Sequence, residues 1–183
     1  MRTRLALMAV VAALAIVSAG CGGSDGDSDA AASSADAWAA GFCSAITDWT
    51  DELQTITAQF SDTSNLSQDG LQTAAEDIRD ATDTLVDDLK GLGTPDTDSG
   101  EEIRSSIDSL SETLEAESGE ITDAVDGISG ITGIPGAATS ITTSLSAMGT
   151  AFSATLQTID SADAKGELQS ALEDSPECAG ISS

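Results

Sequence analysis

Apolar residues recur every three or four positions along most of this chain, and this spacing constrains the fold more than any other feature. In the first such segment the successive intervals are 4, 4, 3, 4, 3 and 4 residues, which place the apolar side chains on one stripe of an α-helix. The stripe consists of Trp38, Phe42, Ile46, Trp49, Leu53, Ile56 and Phe60. Because no segment sustains an alternation with period two, we expect no strands.

Three further helical stripes follow, and a short last helix is expected around Leu168 and Leu172. The second stripe consists of Leu71, Ala74, Ile78, Leu85, Leu89 and Leu92. The third consists of Ile103, Ile107, Leu110, Leu114, Ile121, Val125 and Ile128, and the fourth of Ile141, Leu145, Met148, Phe152, Leu156 and Ile159. Four long amphipathic helices with short connections predict an all-α, up-down four-helix bundle with a short fifth C-terminal helix.

The first 20 residues have the layout of a secretory signal peptide. Arg2 and Arg4 are two of the six basic residues of the chain, and the uncharged apolar run at 5–17 ends in small residues. A membrane-spanning helix needs about 20 apolar residues, so this run is too short to span a bilayer. The segment is therefore excluded from the folded domain.

The sequence "SAGC", residues 18–21, resembles the lipobox of bacterial lipoproteins, although Ser18 stands where that motif usually has Leu. The resemblance implies a diacylglyceryl group on Cys21, often with a further acyl chain such as palmitate, and a lipid anchor in the outer face of the cell membrane. The alternative is an ordinary cleavage site with an unmodified Cys21. The composition, low in Lys and rich in Ala, Asp and Thr, is similar to that of actinobacterial exported proteins.

The segment after the lipobox is rich in Gly, Ser, Asp and Ala and has no large apolar residue, which predicts a flexible tether. The predicted organisation is a signal peptide at 1–20, a lipidated Cys21 with an acidic tether at 21–35, and one helical domain at 36–183. In an exported protein the two remaining cysteines, Cys43 and Cys178, most simply form a disulfide. An up-down bundle supports this pairing, because its fourth helix returns to the end where the first begins.

The charge and the missing residue types exclude several classes of function. The chain has 32 acidic and six basic residues, a net charge of −26, which argues against nucleic acid and against anionic lipid surfaces. Basic partners and divalent cations remain possible. Because the chain has no His and no Tyr, we expect no catalytic residues, no metal site, no cofactor and no enzyme activity. "DTDSGEE", residues 96–102, faintly resembles a calcium loop, but it is better interpreted as an acidic helix start.

One long segment, 127–159, carries no charge. Either this fourth helix is more enclosed than its neighbours, or it presents an exposed uncharged face to a partner or an apolar ligand. The candidate docking residues are Ile141, Thr143, Ser146 and Phe152. Trp38, Phe42 and Trp49 are expected in the core, with ligand binding as the alternative. The sequence thus predicts a non-catalytic envelope interaction module, or alternatively a small carrier that holds an apolar molecule between helices.

Overall fold

The computed structural model describes residues 33–59, 67–130, 132–163 and 165–180. These residues form α1 (Ala35–Gln59), α2 (Gln68–Gly91), α3 (Gly100–Asp126), α4 (Ile134–Ala162), α5 (Glu167–Asp174) and a closing 3₁₀ helix (Pro176–Gly180). The predicted helical bundle with a short fifth helix is confirmed. The predictions for the signal peptide, for Cys21, for the tether up to residue 32 and for Phe60 lie outside the described residues.

The four long helices alternate in direction, and each packs against the next along the chain. One end of the bundle therefore gathers the start of α1, the end of α2, the start of α3 and the end of α4. There the indole N–H of Trp38 donates to the Gly93 carbonyl at 3.2 Å, and the Ser99 hydroxyl donates to the Ala162 carbonyl. We refer to this end of the bundle as the disulfide end, after the Cys43–Cys178 disulfide described below.

The chain enters the domain at the disulfide end as well. The backbone N–H of Ser33 donates to the Thr94 carbonyl at 3.1 Å, and the Ser33 carbonyl accepts from the N–H of Asp96 at 2.8 Å. The Ser33 hydroxyl also donates to the Leu92 carbonyl at 3.1 Å. Ser33 and Pro95 form an isolated parallel bridge, and the described residues contain no strand. Three hydrogen bonds thus fasten the entering chain to the α2–α3 connection.

The apolar stripes predicted from the sequence meet in one core. All seven residues of the third stripe are buried, as are five of the six in the second. Trp38 and Phe42 are fully buried and stack with their ring centroids 5.1 Å apart. Fully burying one large apolar side chain contributes about 1.5–3 kcal/mol, so the stripes supply the main driving force for helix association.

Local signals set the helix boundaries. Gly93 follows α2 with φ of 69°, a left-handed conformation that glycine adopts without a steric penalty and that stops the helix. The Ser67 hydroxyl accepts from the N–H of Gly70 at 3.1 Å and caps α2. Glu101 and Glu102 lie in the first turn of α3, where they oppose the positive end of the helix dipole. The prediction of an acidic helix start after "DTDS" is confirmed.

The disulfide joins Cys43 on α1 to Cys178 in the 3₁₀ helix, with Cα atoms 5.0 Å apart and a sequence separation of 135 residues. Both cysteines are buried. The segment that carries Cys178 reaches α1 because α5 and the 3₁₀ helix both pack against it. The predicted pairing is therefore present, with Cys178 in the segment that follows α5.

The first and last long helices approach each other through side chains rather than through close backbone packing. The ring of Phe42 on α1 stacks on that of Phe152 on α4, with centroids 6.1 Å apart. In contrast, α3 and α4 form the most extensive helix pair. Buried Ser144 and Thr155 of α4 lie beside α3, where small side chains allow two helices to come close. The bundle is thus tighter at the α3–α4 contact than between α1 and α4.

Candidate functional site

The outer side of α4 presents a continuous uncharged surface, which we call the hydroxyl face. Its members are Thr139, Thr142, Thr143, Ser146, Thr150 and Ser153, and all six are exposed. The expectation that α4 is more enclosed than its neighbours is therefore wrong. Three residues of its apolar stripe, Leu145, Phe152 and Leu156, are only half-buried. The uncharged segment 127–159 therefore packs one side of α4 against the core and exposes the other side to solvent.

The four predicted docking residues do not share one surface. Thr143 and Ser146 are exposed and belong to the hydroxyl face. Ile141 is buried in the core, and half-buried Phe152 stacks on Phe42. The reason is the helical repeat of 3.6 residues: Ile141 and Phe152, 11 residues apart, differ by close to three full turns and lie on the same inward side. The candidate docking face is therefore corrected to the outward residues.

The hydroxyl groups of this face are largely engaged within α4 itself. The side chains of Thr139, Thr142, Thr143 and Thr150 each donate to the carbonyl four residues earlier at 2.9 Å. Ser153 does the same with the Gly149 carbonyl at 2.9 Å. A hydrogen-bond donor that is buried without an acceptor costs about 1–3 kcal/mol, and these hydroxyl groups already donate to carbonyl oxygens. Another protein can thus cover the face without leaving these donors unsatisfied.

The hydroxyl face has a shallow hollow and an acidic border. The hollow has a volume of about 570 Å³ and is lined by Ala138, Thr139, Thr142, Thr143 and Ser146. Toward α3, a second hollow of about 530 Å³ is lined by hydroxyl residues of α4 and by Glu117, Glu120 and Asp123 of α3. The surface is therefore uncharged at its centre and negative along one edge. This arrangement is complementary to a surface with an uncharged centre and a basic border.

The basic side chains of the described residues are all engaged with carboxylates. Arg79 pairs with Asp83 at 3.8 Å and Arg104 with Asp108 at 3.0 Å. Lys90 pairs with Glu115 at 2.7 Å and Lys165 with Asp98 at 2.6 Å. The hydrogen bond to Glu115 raises the pKa of Lys90, and that to Asp98 raises the pKa of Lys165. The remaining surface carboxylates are thus left without a basic partner among the described residues.

Among the residues that the structure describes, no group of three or more Cys, Asp or Glu side chains is placed to hold a metal ion. In the segment 96–102, which faintly resembles a calcium loop, Asp98 pairs with Lys165. The aromatic residues differ from one another, because Trp38 and Phe42 are buried whereas Trp49 is only half-buried. The prediction that all three belong in the core is therefore correct for Trp38 and Phe42 and incomplete for Trp49.

The engagement of the α4 hydroxyl groups was not anticipated from the sequence. A sequence signal for this engagement exists, since Thr139 and Thr143 are spaced so that the hydroxyl of one turn reaches the carbonyl of the previous turn.

None of the helices in the described ranges has the length and apolar character needed to cross a membrane. Comparisons of the chain with protein-family models, with curated proteins and with solved structures give no match.

Proposed function

We propose that this protein is a lipid-anchored, extracytoplasmic lipoprotein that acts without catalysis, as an interaction module of the cell envelope. It docks a partner protein through the hydroxyl face of α4. The partner presents an uncharged centre bordered by Lys or Arg side chains. Cys21 carries the lipid and holds the domain at the outer face of the cell membrane.

The observation that carries the proposal is the exposed, uncharged surface in a chain of net charge −26. On such a chain the acidic side chains repel most surfaces and attract basic ones. The hydroxyl face lacks that charge along its whole length, from exposed Thr139 to exposed Ser153. The cores of protein–protein interfaces are depleted of charged residues, and this face has none.

The anchor is proposed from the lipobox resemblance at 18–21, and the position of the entering chain fixes where the tether joins the domain. Ser33 lies 12 residues after Cys21 and is hydrogen-bonded to the α2–α3 connection. Twelve extended residues reach at most about 40 Å, so a lipid on Cys21 keeps the domain close to the bilayer. The tether joins the domain at its disulfide end, and the start of α4 lies at the opposite end of the bundle.

The alternative, a carrier that holds an apolar molecule between helices, has less support. Between α1 and α4, whose backbones are not closely packed, the space is occupied by the stacked rings of Phe42 and Phe152. The hydroxyl face and its hollow are open to solvent, which suits a protein surface better than an apolar small molecule.

The docking proposal is tested by crosslinking in intact cells with a photoreactive residue placed at Thr142. The Thr143→Glu and Ser146→Glu variants should abolish the crosslinked product, because each places a charge in the contact. Thr73→Glu is the matched control, since Thr73 is an exposed threonine on α2. Circular dichroism and thermal unfolding should be the same in all three variants. A crosslinked product that survives both α4 substitutions contradicts the proposal.

The anchor is tested separately by mass spectrometry of the N-terminal peptide and by detergent phase partitioning. We expect Cys21 to carry acyl chains, and Cys21→Ser to move the protein from the detergent phase to the aqueous phase. An unmodified Cys21 would make the protein a freely secreted domain, and the docking experiment could still succeed. The two parts of the proposal therefore fail independently.

A further inference from the structure

The last two helices of the described chain, α5 and the 3₁₀ helix, lie together across α1. Among the described helices, α1 is the one against which both pack closely, and they also pack against each other. Their covalent fastening is the disulfide between Cys43 on α1 and Cys178 in the 3₁₀ helix. We refer to residues 167–180 as the C-terminal strap.

The C-terminal strap has few apolar contacts of its own. In α5, Leu168 is fully buried, Ala171 is buried and Leu172 is half-buried, and the other five residues of this eight-residue helix are exposed. Isolated helices shorter than about 12–15 residues are marginal in water, so α5 is helical because it is docked on α1. Since ordering each residue costs conformational entropy, so small an apolar face leaves the docking dependent on the disulfide.

The long helix α1 has other contacts that hold it in the bundle. It packs closely against α2, and the indole N–H of Trp38 donates to the Gly93 carbonyl at 3.2 Å. Ser33, just before α1, is hydrogen-bonded to the α2–α3 connection, and Phe42 stacks on Phe152 of α4. None of these contacts involves a residue of the C-terminal strap. The four long helices therefore keep their mutual contacts when the strap leaves.

A pivot separates the C-terminal strap from α4. Gly166 has a φ of 69°, and the residue before it, Lys165, pairs with Asp98 of the α2–α3 connection at 2.6 Å. The Asp163 carboxylate accepts from the backbone N–H of Gln169 at 2.7 Å, a contact that crosses the pivot without involving α1. The chain is thus fastened to the bundle up to Lys165, and the strap is free to swing beyond it.

We infer that the Cys43–Cys178 disulfide is a redox-sensitive latch: reduction by a dithiol detaches the C-terminal strap from α1 while the four long helices stay packed. Local opening of this kind, in a segment with few buried contacts, precedes global unfolding in many proteins. The latch is independent of the hydroxyl face and of the lipid anchor.

The reduction proceeds by thiol–disulfide exchange. Cys178 is buried, but it lies between exposed Glu177 and Ala179 in a 3₁₀ helix of five residues, so local opening of that helix brings its sulfur to solvent. A thiolate of the dithiol attacks this sulfur, the S–S bond breaks, and Cys43 leaves as a thiolate that takes up a proton. The second thiol of the reductant then displaces Cys178 from the mixed disulfide. The products are two cysteine thiols and one oxidised dithiol.

The inference is tested on the full-length protein in detergent by hydrogen exchange with mass spectrometry, before and after treatment with dithiothreitol under native conditions. Alkylation of a parallel sample verifies that Cys43 and Cys178 are reduced. Backbone amides of 167–180 should exchange about tenfold faster or more after reduction, and those of 103–125 in α3 should change by less than about twofold. Reoxidation with glutathione disulfide should restore the protection.

Cys43→Ser/Cys178→Ser is the matched variant. Its strap should exchange rapidly without reductant and should not respond to dithiothreitol, which assigns the effect to this bond. If the variant does not fold, the reduced parent protein still decides the question. Equal acceleration in 167–180 and 103–125, unchanged exchange of the strap in reduced protein, or cysteines that resist dithiothreitol under native conditions would each overturn the inference.

Discussion

The ring of Phe152 on α4 lies 6.1 Å from the ring of Phe42 on α1, and this stack connects the first long helix of the bundle to the last. The backbones of α1 and α4 are not closely packed, so the connection depends on the side chains. Phe42 in turn stacks on Trp38 at 5.1 Å. Three aromatic rings therefore form a continuous column near the disulfide end.

Shortening this column should destabilise the bundle. Phe152→Ala should lower the free energy of unfolding by about 2–3 kcal/mol, somewhat less than for a fully buried Phe, because Phe152 is half-buried. Urea denaturation followed by circular dichroism measures the change. Exposed Ser153→Ala, one position further along α4, is the control and should change the value by less than about 0.5 kcal/mol. Equal effects of the two substitutions would contradict the role of the column.

The disulfide should contribute to stability mainly by restricting the unfolded chain. Cys43 and Cys178 close a loop with a sequence separation of 135 residues, and replacing both by Ser should lower the free energy of unfolding by about 3–5 kcal/mol. The measurement is urea denaturation of the double variant. Cys21→Ser is the cysteine control and should leave the transition midpoint unchanged. A double variant as stable as the parent would mean that packing alone closes the domain.

Two glycines within helices should respond in opposite ways to substitution by Ala. Gly149 on α4 is exposed, and a Cβ there would meet nothing within 4 Å, so Gly149→Ala should stabilise the protein by about 1 kcal/mol. A Cβ on Gly100, the first residue of α3, would clash with the backbone carbonyl oxygen of Pro95. Because backbone cannot turn aside as a flexible side chain can, Gly100→Ala should destabilise the start of α3. Thermal unfolding of the two variants checks the signs, and stabilisation by both would refute the close approach at Gly100.

The protonation of Glu177 should depend on its neighbour Ser175. The Ser175 hydroxyl donates to the Glu177 carboxylate at 2.7 Å, and this hydrogen bond, followed by one from the backbone, lowers the pKa of Glu177. A folded-state pKa below the unfolded value means that the interaction stabilises the protein above the ordinary Glu pKa and is lost as the pH falls through the lowered value.

Ser175→Ala should therefore raise the pKa of Glu177 toward its ordinary value, which an NMR titration of the Glu177 carboxyl carbon measures. Ser170→Ala provides the control, because Ser170 is an exposed serine on the neighbouring helix α5. A pKa of Glu177 that stays the same in Ser175→Ala would assign the shift to the backbone hydrogen bond instead.

The helices and their order could be predicted from the sequence because the signals are local. The spacing of Ile107, Leu110 and Leu114 identifies a buried stripe, and the glycine at position 93 identifies the end of α2. The pairing of Cys43 with Cys178 was predicted because these are the two cysteines that remain after Cys21, and it agrees with the topology, since alternating helix directions return the chain to its starting end. Each of these inferences needs only the residues of one helix or the number of helices.

The surfaces were harder to predict, for two different reasons. The predicted docking residues combined inward and outward positions of α4. Helix geometry separates Thr143 from Ile141 by about 200°, so the sequence alone could have told these two positions apart. The groove between α1 and α2 that Asp48 and Asp77 both line could not be predicted, because its two walls come together only through the relative position of two packed helices. That position depends on how side chains from both helices interlock, and no pattern within one helix reports it.

The attachment of Ser33 beside the disulfide end has a mechanical consequence. A force applied to the chain before residue 33, with a partner held on α4, travels through the start of α1 to Cys43 and crosses the disulfide to Cys178. It then returns through α5 to the end of α4. This covalent route bypasses α2 and α3, so the covalent connection between the two loaded points does not lengthen even when these two helices unfold.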